Sequence, residues 1–189
     1  QPMQHPHFAL QDGLCWTGTT RLGSWAGFQA RAGAYGAESA SFSSDGSVTV
    51  CFAPEGRGRE PLTSSEIALV NWFFEHEAEV SESLQRTLVD EYAELRVQHG
   101  CDAEGAADMH DVRDVEDLKL VIGLHTVNIH QVNRDGVPYL GFEFGCDWEE
   151  EHGLGVLMHG TQVVEIGDAD TAILLWLAEQ HSKAGAGEA

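Results

Sequence analysis

From Val127 to Ile166 the chain alternates apolar and polar residues in short runs divided by turn signals, a pattern that only paired strands can bury. Val127 and Ile129 alternate with polar neighbours, and Asn133-Arg-Asp-Gly136 is a turn. Leu140, Phe142 and Phe144 then share one face of the next strand. After the loop Cys146–His152, Leu154, Val156 and Met158 alternate again, and His159-Gly160 turns the chain into Val164 and Ile166. The expected result is a four-stranded antiparallel meander, with strands near 137–144, 154–158 and 162–166.

A helical block precedes it. Thr63-Ser-Ser-Glu66 is a capping box, and Ile67, Val70, Phe73, Phe74, Leu84, Leu88, Tyr92 and Leu95 follow at helical spacing, up to Gly100. Two helices or one kinked helix satisfy that spacing equally. A shorter helix is expected near 114–122, and another after Asp168-Ala-Asp-Thr171, carrying Ile173, Leu174 and Leu177. Upstream, the β-prone runs Leu14–Thr20, Phe28–Tyr35 and Val48–Ala53 are divided by Gly and Ser, with a turn at Ser44-Asp-Gly46. The fold class is therefore α+β. N-terminal strands and a C-terminal meander form an antiparallel sheet against a central helical block. The length of 189 residues suits a single domain over 1–189, with 1–12 and the Ala/Gly-rich 183–189 expected to be flexible.

Charge narrows the function. The formal net charge is −21, and the excess is uneven: residues 1–60 hold five acids and four bases, while 61–189 hold nearly all the surplus acid. A field of that sign repels phosphate backbones and anionic lipid and draws in a basic protein. Nucleic acid and membrane are therefore poor partners. No apolar run approaches the ~18 residues that span a bilayer, and the first residues lack the basic and apolar regions of a signal peptide. Cys15, Cys51, Cys101 and Cys146 form no C-x-x-C pair, so reduced thiols in a cytoplasmic protein are expected.

In an up-and-down meander, the loop after the second strand and the segment after the fourth lie at one end of the sheet. That places Asp147, Glu149, Glu150, Glu151 and His152 beside Asp168 and Asp170, the candidate partner-binding rim. Three readings compete for it. It is a solvated turn whose acids cap nearby backbone, a docking surface for Lys and Arg of a protein, or a divalent-metal site drawing on Asp147, Glu151, His152 and Asp168. An EF-hand fails because Ala172 and Ile173 occupy the fifth and sixth loop positions, where a ligand and Gly are needed.

Catalytic signatures are absent or broken. His76-Glu77 opens an H-E-x-x-H pattern, but Val80 stands where the second His belongs. Gly23-Ser-Trp-Ala-Gly27 sets its Ser one place too early for a nucleophile elbow. Gly153-x-Gly155 lacks the third Gly of a dinucleotide fingerprint, and neither lysine, Lys119 nor Lys183, lies in a phosphate loop. No catalytic residue and no cofactor is implied. His125 and His130 read as structural, and the aromatic segment Trp16…Trp25-Ala-Gly-Phe28 reads as core.

The run Cys146-x-Trp148-x-x-Glu151-His-Gly-Leu-Gly-Val156, followed by Val163-Val-Glu-x-Gly167-x-x-Asp170, resembles the signature of a bacterial family catalogued as a domain of unknown function. Ser24-Trp-Ala-Gly-Phe-Gln29 and the helical block extend the resemblance over most of the chain. It implies no residue role. Small acidic cytosolic proteins without enzyme motifs often serve as immunity proteins beside bacterial toxins. The expected function is therefore an acidic antitoxin that occludes a basic toxin, such as a nuclease effector. The alternative is a metal-dependent hydrolase or metal-binding protein built on the 147–152 and 168–170 rim.

Overall fold

A computed structural model describes residues 9–11, 15–32, 38–54, 59–98, 111–147 and 152–186. The elements run β1 (Ala9–Gln11), β2 (Cys15–Arg21), a 3-10 turn (Gly23–Trp25), β3 (Gln29–Ala32), β4 (Glu38–Ser43) and β5 (Ser47–Phe52). They continue with α1 (Ser64–Gln98), α2 (Val115–Leu118), β6 (Ile122–Arg134), β7 (Val137–Cys146), β8 (Leu154–His159), β9 (Gln162–Gly167), a second 3-10 turn (Ala169–Ala172) and α3 (Leu175–Ala186). Seven strands form one sheet in the order β1-β2-β5-β6-β7-β8-β9, and β3 pairs with β4 alone.

The expected α+β architecture is present. β6 to β9 are the antiparallel meander. The β6–β7 turn is the two-residue loop Asp135-Gly136, both at positive φ (57° and 79°), as a tight hairpin requires. β5 and β6 are the one parallel pair among the described strands, with Val50 opposite Val127. A parallel pair needs a long crossover, and α1 lies within it.

α1 is one unbroken helix of 35 residues, which settles the choice left open by spacing. Its capping box forms: the Thr63 amide donates to Glu66 Oε1 at 2.7 Å, and the Glu66 amide to Thr63 Oγ1 at 3.2 Å. Val70, Phe73, Leu84, Leu88, Tyr92 and Leu95 are buried and pack on Val50, Phe52, Val127, Ile129, Leu140, Phe142, Phe144 and Val156. Ile67 departs from its expected place and is exposed, one turn short of where the helix meets the sheet. Trp25 and Phe28 belong to this core, as the aromatic segment suggested.

The opposite face of the sheet carries a smaller core of Tyr139, Leu157 and Ala178, flanked by Val132, Val164 and Leu177, over which α3 lies. Ala9–Gln11 pair with β2, and residues 183–186 continue α3, where Ala is a strong helix former. Residues 1–8, 12 and 187–189 lie outside the described residues.

Candidate functional site

The end of the sheet where β7 finishes and β8 begins carries the acidic segments. The Ala169 amide donates to the His152 carbonyl at 2.9 Å, so the loop after β7 and the segment after β9 meet as the meander requires. His152, Asp168 and Asp170 are exposed there. Asp170 lies near enough to Glu143 for its charge to push the Glu143 carboxyl upward, a contribution smaller than burial. Glu149, Glu150 and Glu151, with Trp148, lie outside the described residues.

Asp147 is engaged elsewhere. Its carboxylate accepts from Gln29 Nε2 at 3.0 Å and pairs with Arg31 at 3.2 Å, while its amide donates to Val121 O. The Arg31 side chain is only 2% exposed, so removing Asp147 would take a carboxylate away from a buried guanidinium. Asp147 therefore ties strand β3 to the sheet end, and the described part of the rim reduces to His152, Asp168 and Asp170.

Backbone packing fixes that rim. The 3-10 turn 169–172 lies flat on the second face of the sheet, directly over two strand glycines. A Cβ on Gly141 would stand 1.7 Å from the Ala172 carbonyl oxygen, and one on Gly155 would stand 2.2 Å from that of Asp168. His130, buried on the same face, donates its Nε2–H to the Ala172 carbonyl at 2.8 Å. Gly153 turns the chain at φ 65°, so the two signature glycines have different duties, a turn at 153 and a close approach at 155. Asp168 stands at the cap position of the 3-10 turn, yet its side chain makes no capping hydrogen bond.

Among the described residues, no group of three or more His, Cys, Asp or Glu is placed to hold a metal ion. Val80, at the break in the H-E-x-x-H pattern, is core. No helix among them is long and apolar enough to cross a membrane.

Residues 25–174 match the profile of a family described as "Domain of unknown function (DUF6985)". The chain belongs to this family. The matched span of the DUF6985 chain runs from Trp25, in the main core, to Leu174, just past the 3-10 turn, and so includes the whole glycine-clamped rim. No curated protein matches it, and no solved structure does.

Two arrangements were not read from the sequence. Glu75, Glu79, Glu82, Asp90 and Glu94 are exposed along α1 at steps of three, four or eight residues, which puts them on one stripe of the helix. Arg86 falls on the same stripe and pairs with Glu82 at 2.9 Å. The spacing was visible, but it becomes a face only once α1 is known to be continuous. The other is the Cys15–Cys51 pair taken up below.

Histidines secure the second face of the sheet. The Tyr139 hydroxyl is hydrogen-bonded to His181 Nδ1 at 2.7 Å, and the His159 ring lies 4.6 Å from that of Tyr139. Burial holds His130, His159 and His181 below their ordinary value, and the Arg134 charge adds to this at His159 and His181. Such a histidine binds fewer protons folded than unfolded, so its contribution is complete above the unfolded value of 6.5 and is lost as pH falls below it. Glu143 acts in the opposite sense. Burial raises its carboxyl despite the Asn128 amide, so its contribution fades as pH rises through the folded value. Three imidazoles against one carboxyl make the net direction a loss of stability as pH falls below about 6.5. The urea midpoint followed by circular dichroism should fall over that range; a flat or rising midpoint would contradict this assignment.

Proposed function

We propose that this protein is a non-enzymatic acidic binding protein of the immunity type, which neutralises a basic protein toxin by laying carboxylates over its active site. The observation that carries this reading is Asp168, exposed at the head of an immobilised turn with its carboxylate not used for capping. A solvated turn residue normally caps its own backbone. Here Asp168 is presented outward beside Asp170 and His152, on a chain of net charge −21. A rigid anionic rim favours a cationic partner because little conformational freedom is lost when the two meet.

Co-expression with a candidate toxin from a neighbouring gene tests the function, with survival as the readout. Failure of the unmodified chain to protect would remove the reading for that pair. For the purified pair, association should be fast at low salt. Raising salt from ~0.1 M to ~1 M shortens the Debye length from about 10 Å to about 3 Å, so the on-rate should fall steeply and the off-rate change less. The double reversal Asp168→Lys/Asp170→Lys should slow association by roughly 10-fold or more at low salt. An on-rate indifferent to both salt and reversal would place the interface away from this rim.

A further inference from the structure

Cysteines that are far apart in sequence meet on the second face of the sheet. In the β2–β5 ladder, Thr17 stands opposite Cys51 and Trp16 opposite Phe52. Cys15, two residues before Thr17, therefore projects from the same face as Cys51, on the diagonal between adjacent strands. The Cys15 thiol lies close enough to Cys51 to hold the Cys51 thiol up. Both are unpaired as cysteines and only partly buried. A cavity of ≈ 320 Å³ opens on Cys51 between β6 and the start of α3, with Asn128, His130 and Ile173 among its walls. A small oxidant can thus reach the pair without unfolding the sheet.

We propose that Cys15 and Cys51 form a reversible disulfide, a modification site that takes a low-molecular-weight disulfide as its oxidant. The Cys15 thiolate attacks one sulfur of the oxidant, forming a mixed disulfide and releasing the first thiol. Cys51 gives up its proton to solvent, attacks the Cys15 sulfur and expels the second thiol. The protein dithiol loses two electrons and two protons, and the oxidant becomes two thiols. The order follows from the surroundings. Burial, then Cys15 and Glu143, push the Cys51 thiol up to about 12, so it is not the first to attack; once Cys15 is a mixed disulfide its part of that rise is gone, and Cys51 can give up its proton and resolve.

Reversibility follows from the diagonal placement. Diagonal neighbours have Cα atoms about 7–8 Å apart with Cβ atoms closer, beyond the usual disulfide span, so closing the bridge requires the strands to shift. Closing it strains the ladder, and strained bridges are the more easily reduced ones. The bridge would close the chain segment holding β3 and β4 into a loop, linking β2 to β5 by a bond the reduced protein lacks.

The test equilibrates the intact chain with glutathione buffers of graded potential and reads intact mass and peptide maps. The oxidised wild type should lose two hydrogens and yield a Cys15–Cys51 cross-linked peptide. Cys51→Ser, without a resolving thiol, should accumulate one glutathione on Cys15. Cys15→Ser should show neither cross-link nor adduct at Cys51. Circular dichroism of each variant establishes that it is folded, and Cys101→Ser/Cys146→Ser should leave the cross-link intact. A wild type that keeps its mass across the whole range, or a cross-link that includes Cys101 or Cys146, would overturn the proposal. So would a folded Cys51→Ser that takes up no glutathione.

Discussion

Gly141→Ala should cost most of the stability of the fold, on the order of 4 kcal/mol or more, although it adds a single methyl group. The new Cβ would sit 1.7 Å from the Ala172 carbonyl oxygen, with the Ala172 carbonyl carbon 2.5 Å away. Both atoms are backbone, so no side-chain rotation relieves the contact. Either the strand or the 3-10 turn must move. The strand cannot move cheaply, because β7 pairs on both sides and carries Leu140, Phe142 and Phe144 into the main core. The turn must therefore lift, breaking the His130 bond to the same carbonyl and uncovering the second face of the sheet.

Gly155→Ala is the informative companion, since its Cβ would meet the Asp168 carbonyl at 2.2 Å, directly beneath the rim. It should displace Asp168 and Asp170 without changing any charge. On the proposed function, a Gly155→Ala protein that still folds loses protection against its toxin. A charge-reversed protein keeps the turn in place and loses the electrostatic attraction instead. Denaturant unfolding separates the two effects. A stability loss below about 1 kcal/mol for Gly141→Ala would mean that the turn does not lie where the structure places it.

The legible parts of this fold are those settled within a few residues. Asp135-Gly136 demands a two-residue hairpin and Thr63…Glu66 a helix start, and both form with the geometry their chemistry requires. The alternation in Leu140, Phe142 and Phe144 fixes which way β7 faces the core, since a one-residue slip would expose all three. Legibility fails where the cause lies on another segment. Gly141 and Gly155 are small because a backbone passes over them, and nothing near either glycine in sequence announces it. The pairing of Cys15 with Cys51 depends on the β2–β5 register, and the parallel β5–β6 pair on where α1 returns the chain. Of the rim, the meeting of its two segments followed from strand direction. The withdrawal of Asp147 toward Arg31 did not, because β3 is separated from it by more than a hundred residues. The outward carboxylate of Asp168 is likewise a matter of hydrogen bonds not made, which no sequence pattern records.

Trp25→Ala should destabilise the protein by about 3–5 kcal/mol for the lost aromatic volume, with roughly 1 kcal/mol more for the lost hydrogen bond. The indole is 1% exposed. Its ring lies 4.9 Å from Phe28 and 5.3 Å from Phe144, in tilted geometries that add to simple burial. Nε1–H donates to Ser81 Oγ at 2.9 Å, and that hydroxyl in turn donates to Glu77. One side chain thus joins the N-terminal turn to the middle of α1 and to β7, three elements that share no local sequence. Against a total of ~5–15 kcal/mol for a domain, the truncation removes a large share of the margin. Trp25→Phe should cost far less, on the order of 1–2 kcal/mol, since most of the apolar contact survives and Ser81 keeps Glu77 as a partner. The comparison is read from urea midpoints by far-ultraviolet circular dichroism, which does not depend on the indole removed. Since Trp25 is buried on the opposite face of the sheet from the 169–172 turn, any folded fraction of either variant should bind a cationic partner at the wild-type on-rate. Equal losses for the two variants would refute the packing argument, and a Trp25→Phe protein that is stable yet slow to associate would place the indole at the interface.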